Sequence, residues 1–77
     1  MIIKDFEIDI MRRALGHELM LARWQQGISQ KQAAIRLRKN PGIIDRTELG
    51  KYTYFSLIRK MLILYNKDIK IELVDRG

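Results

Sequence analysis

The stretch SQKQAAIRLRKNPGIIDRTELGK, Ser29 to Lys51, decides how the rest of the chain must fold. It opens on a capping box. Ser29 can accept from the N–H groups of the first turn, and Gln32, three residues on, can reach back to the Ser29 N–H. The helix so started runs from Gln30 to about Arg38 and turns Ala33, Ala34 and Leu37 inward; the small alanines let another helix approach closely. Asn40-Pro41 restarts the chain, because Asn is a strong N-cap and Pro is favoured at the first helical position. The spacing predicts a further helix from Pro41 to Leu49, stopped at Gly50, with Ile44 and Thr47 facing inward.

Only Arg38-Lys39-Asn40 separates these two helices. Two short helices joined by so brief a turn make a helix-turn-helix. Upstream, residues from Asp9 to Gln26 contain no Pro, and Met11, Leu15, Leu19 and Ala22 recur at helical spacing. Asp9 is the expected N-cap and Gly27 the expected stop. A second apolar set, Met20, Leu21 and Trp24, gives this helix two faces to cover: one by the core, the other by the chain's own C-terminal segment or a second subunit. Downstream, Lys51 to Tyr54 reads as a loop, Phe55 to Tyr65 as a fourth helix, and Asn66-Lys67-Asp68 as a turn. Leu57, Ile58, Met61, Leu62 and Leu64 give the fourth helix a broad apolar face.

The last segment, residues 68–75, alternates cleanly: Ile69, Ile71 and Leu73 on one side, Lys70 and Glu72 on the other. A lone strand has unpaired backbone on both edges. It could pair with a short strand over residues 2–7, or with its own copy in a homodimer. Residues 2–7 could equally lead into the first helix.

The chain has 77 residues, 47% apolar and 31% charged, which bounds a single domain, 1–77, of mainly α class. It has no cysteine and one histidine, His17, so no disulfide framework, thiolate metal site or His cluster is expected, and a catalytic triad is disfavoured. His17 lies off the core stripe and reads as a surface residue. No catalytic residue, metal or cofactor is expected. Nothing in the sequence reads as a membrane span or a signal peptide, so a cytoplasmic setting is expected. Net charge is +6, of which residues 36–60 carry +5 through Arg36, Arg38, Lys39, Arg46, Lys51, Arg59 and Lys60 against Asp45 and Glu48. A localised excess of this kind suits a polyanion such as nucleic acid, and equally a solvated surface.

Two patterns carry a family resemblance. Leu15-Gly16-x-x-Leu19-x-x-x-Arg23-x-x-x-Gly27-x-Ser29-Gln30-x-x-x-Ala34 resembles the opening of the XRE/Cro-like helix-turn-helix family, and Ile44-x-Arg46-x-Glu48-x-Gly50-Lys51 its close. The resemblance covers about residues 14–64 and implies a four-helix, lambda-repressor-like DNA-binding domain. The fourth helix and terminal strand also resemble HipB-like antitoxins, which implies a homodimer joined through Ile69, Ile71 and Leu73. It further implies a nucleoid-associated, autoregulating repressor with a HipA-like toxin kinase as partner. The alternative is a helix-turn-helix module whose main role is to bind a toxin or other protein.

The resemblance assigns roles residue by residue. Gln30 would bond a DNA phosphate, and Lys51, Tyr52 and Thr53 would meet the backbone after the recognition helix, with Arg36 a further candidate. The base-reading positions fall on Pro41, Gly42 and Arg46, with Ile43 beside them. Pro and Gly offer no side-chain donor, so readout would rest on Arg46, on Asn40 and on Ile43 against a thymine methyl, or on DNA shape. Arg38 and Lys39 replace the usual Gly and buried aliphatic residue; they add charge and place a non-Gly residue where positive φ is wanted. Arg23 and Glu48 correspond to a partly buried structural ion pair. Trp24, Leu21, Tyr52, Tyr54 and Phe55 read as core or interface.

Overall fold

The computed structural model describes residues 7–75, which hold four helices: α1 (Ile8–Gln25), α2 (Gln30–Leu37), α3 (Pro41–Glu48) and α4 (Phe55–Leu64). α3 packs against both α1 and α2, and α2 also meets α4. Among the described residues no helix is long and apolar enough to cross a membrane.

α1 buries Leu15, Leu19 and Ala22 of the stripe its spacing predicts, while Met11 is only half-buried. It starts earlier than expected. Glu7, not Asp9, is the N-cap, without a side-chain cap bond, and the Glu7 carbonyl accepts from Met11 N at 3.0 Å. Asp9 instead sits in the first turn, where a carboxylate favours the helix dipole. Gly27 ends the helix at φ +65°, where a Cβ would be strained.

The capping box forms at α2: Ser29 Oγ accepts from Gln32 N at 3.0 Å, and Ser29 N donates to Gln32 Oε1 at 2.9 Å. Arg38 closes α2 in the left-handed region, φ 55° and ψ 45°. That conformation costs a non-Gly residue about 1 kcal/mol. It also lets Lys39 N reach back to the Ala34 carbonyl at 2.9 Å, satisfying a helix-end acceptor. At α3, Asn40 Oδ1 accepts from Gly42 N at 2.7 Å, with Pro41 in the first turn.

The core gathers Leu15, Leu19, Ile28, Ala33, Ile44, Ile58, Met61 and Tyr65. Tyr65, just past α4, is fully buried although the apolar pattern does not include it. Trp24, Tyr54 and Phe55 are 57%, 58% and 75% exposed, so they are not core residues; Tyr52 is exposed as well, and Leu21 is half-buried. The described residues therefore cover the second apolar face of α1 only in part.

No strand occurs among the described residues. Residues 68–75 are irregular, and among the described residues the last backbone bond runs from Lys67 N to Leu62 O at 2.9 Å. Ile69 and Ile71 line one groove with Ile8, Met11 and Phe55, while Lys70 and Glu72 pair with each other in an exposed ion pair. A strand needs a neighbour to complete its ladder, and the described residues supply none. The strand expected over residues 2–7 lies outside the described residues but for Glu7, the α1 N-cap.

The Tyr65 hydroxyl is buried with no hydrogen-bond partner among the described residues. Burial pushes it up to about 12, the Glu48 carboxylate adds to the rise, and Arg23 opposes it. An unfolded tyrosine loses its proton near pH 10. Between about pH 10 and 12 the unfolded chain therefore releases a proton that the folded one keeps, so stability falls as pH rises. Tyr65→Phe is expected to gain about 1 kcal/mol at neutral pH. Its advantage should widen by about 2 kcal/mol across that alkaline window, read by urea melts of both proteins.

Candidate nucleic-acid interface

The outer face of α3 is presented to solvent by what lies beneath it. Arg23 on α1 and Glu48 on α3 are each 7% exposed and form a forked pair: Nε to Oε2 at 2.7 Å and Nη2 to Oε1 at 3.0 Å. Arg23 Nη1 also donates to the Ile28 carbonyl at 2.8 Å. The hydrogen bond to Glu48 raises the Arg23 pKa further, against the cost of burial. Gly16 completes the junction. A Cβ there would lie 2.4 Å from the Glu48 carbonyl oxygen and 2.5 Å from that of Thr47. α1 and the end of α3 thus meet backbone to backbone. Ile44 and Thr47 fill the inner face, and Thr47 Oγ1 donates to the Ile43 carbonyl at 2.7 Å.

Of the residues assigned to DNA, Arg38, Lys39, Asn40, Pro41, Arg46, Lys51 and Tyr52 are exposed, while Gln30, Gly42, Ile43 and Thr53 are half-buried. Asn40 spends its oxygen on the cap and keeps its amide donors. Arg46 turns back along the helix, Nε to the Gly42 carbonyl at 3.2 Å. The N–H groups of Lys51 and Tyr52 close the end of α3 on the Arg46 carbonyl at 2.8 and 3.2 Å, leaving their side chains to make any contact. Lys39 and Lys60 flank a cleft of about 240 Å³ with Tyr52 and Tyr54, whose rings stack 5.8 Å apart. Thr53 borders a different groove, the apolar one of about 350 Å³ with Ile8, Phe55, Ile69 and Ile71. Leu73 stands 85% exposed beyond it.

Gln30 holds an unexpected place. Its Nε2 donates to Asp45 Oδ1 at 3.0 Å and to Glu48 Oε1 at 3.1 Å, bridging α2 and α3. In the sequence Asp45 counts only as an acidic charge against the cationic excess of residues 36–60. Its position four residues after Pro41 already placed it on the exposed side of α3. Lys60 could not be found this way, because only the tertiary fold brings α4 beside Lys39.

No family model, curated protein or solved structure matches this chain.

Proposed function

We propose that this chain is a lambda-repressor-like helix-turn-helix protein that represses transcription as a homodimer, with α3 as its recognition helix. The observation that carries the reading is the cationic rim around α3: Arg38, Lys39, Arg46 and Lys51 are all exposed around a helix whose other face is locked to the core by a buried ion pair. A short helix entering a major groove needs that combination of rigid support and positive edge. Two copies joined through residues 68–75 would place two recognition helices about 34 Å apart, one turn of DNA. Repression then requires only occupation of a promoter. By the HipB resemblance, the protein would serve as antitoxin and autoregulator beside a HipA-like kinase.

Gel shifts at rising salt test the reading. Affinity should fall linearly in log–log form as counterions are released. Arg46→Ala should lose about 1–3 kcal/mol on the preferred sequence and much less on random duplex. Binding without salt dependence would remove the proposal.

A second reading has its own support. The groove lined by Ile8, Met11, Phe55, Ile69 and Ile71 is apolar, as a protein-binding surface often is. On that reading the helix-turn-helix is a scaffold for a toxin or other protein. Stable capture of such a partner with unchanged DNA affinity in Arg46→Ala would select it.

A further inference from the structure

We infer that Asp45 is a base-reading residue: Gln30 holds its carboxylate on the outer face of α3, where it accepts from the exocyclic amino group of a base. The inference rests on the DNA-binding reading above and deepens it.

It begins with the donors of one amide. Gln30 has two N–H donors on Nε2 and one acceptor oxygen. Nε2 meets Asp45 Oδ1 at 3.0 Å and Glu48 Oε1 at 3.1 Å, so both donors are engaged. Chemistry settles the orientation, since an amide oxygen facing two carboxylates would meet only acceptors. The oxygen that remains cannot bond a phosphate. A phosphate bond from Gln30 would require one of these two bonds to break. In this arrangement Gln30 is a positioning residue. It extends a chain of contacts, Arg23 to Glu48 to Gln30 to Asp45, from the core to the surface, and Asp45 is its exposed end.

The surroundings of Asp45 say what it would meet. Pro41 and Gly42, four and three residues earlier, share its side of α3 and offer no polar side-chain atom. Arg46 is partly occupied by the Gly42 carbonyl. Asp45 is thus a carboxylate within a cationic rim. Phosphates repel it, so its place on a DNA-facing surface is unfavourable unless a donor is there to meet it. In the major groove such donors are cytosine N4 and adenine N6, and Asp pairs with the former. With Oδ1 tied to Gln30, Oδ2 is left for that donor.

Selection from a randomised duplex library, repeated with Asp45→Asn and Gln30→Met, tests this. Wild type should enrich cytosine at one position of each half-site; adenine there would name N6 as the donor instead. Asp45→Asn should lose that preference by about 5–100-fold, leaving other positions and the salt slope unchanged. Gln30→Met should relax the same position while circular dichroism shows the fold retained. Asp45→Asn that keeps the wild-type preference, or that binds every duplex more tightly alike, would overturn the inference while sparing the DNA-binding reading. So would Gln30→Met that lowers the salt slope by about one without changing base preference, which would return Gln30 to a phosphate. A wild-type protein that selects no sequence overturns the inference, and one that binds no duplex overturns the DNA-binding reading with it.

Discussion

Glu48→Ala should lose about 3–5 kcal/mol and leave much of the protein unfolded. The Glu48 carboxylate accepts two bonds from Arg23, at 2.7 and 3.0 Å, and one from Gln30 at 3.1 Å. Truncation strips the guanidinium of all but its bond to the Ile28 carbonyl, while Arg23 remains 7% exposed and charged. Desolvation of an unpaired cation then acts without compensation. A small domain has few kcal/mol in reserve, so the loss is comparable with the whole. The double variant Arg23→Met with Glu48→Leu should recover most of it, since apolar groups of similar volume need no partner. Urea unfolding of the two variants measures both halves. A single-variant loss under about 1 kcal/mol would mean the pair is solvated and does not clamp α3.

Gly16→Ala should destabilise by about 3 kcal/mol, opposite in sign to what helix propensity dictates. In an exposed helix interior, Gly to Ala gains up to about 1 kcal/mol. Here the added Cβ would stand 2.4 Å from the Glu48 carbonyl oxygen and 2.8 Å from its carbon. These are backbone atoms, with no flexible side chain to yield, so α1 and α3 must separate. Separation would also draw Arg23 from Glu48 and tilt α3, so DNA affinity should fall with stability. Urea unfolding checks the sign directly: a Gly16→Ala protein more stable than wild type would show that the helices do not touch there.

Most of the helical frame was readable along the chain because its signals are local. Ser29 with Gln32, Asn40 with Pro41, and Gly27 each act within a few residues, and each does in space what its spacing implies. The buried stripe of α1 and the inward Ile44 and Thr47 follow from helical periodicity in the same way. Competing local signals make the start of α1 less legible. Asp9 is as good a cap as any, but the helix begins one residue before it. Arg38, by contrast, takes the positive φ wanted at its position, without the glycine that usually permits it. Trp24 and Phe55, read as core or interface, are not core, and the buried Tyr65 lies outside the apolar pattern, because bulk alone does not say which side of an element faces the core.

Local sequence alone set the order of the helices, the N-caps of α2 and α3, the concentration of positive charge between residues 36 and 60, and the alternation of the last segment. Those depend on neighbours in the chain. Only the tertiary structure decided that Gln30 spends its donors on Asp45 and Glu48, that Lys60 stands beside Lys39, and that Gly16 is a contact between backbones. Each of these joins residues from different helices, and their distances are set by how the helices pack, which no short-range pattern encodes.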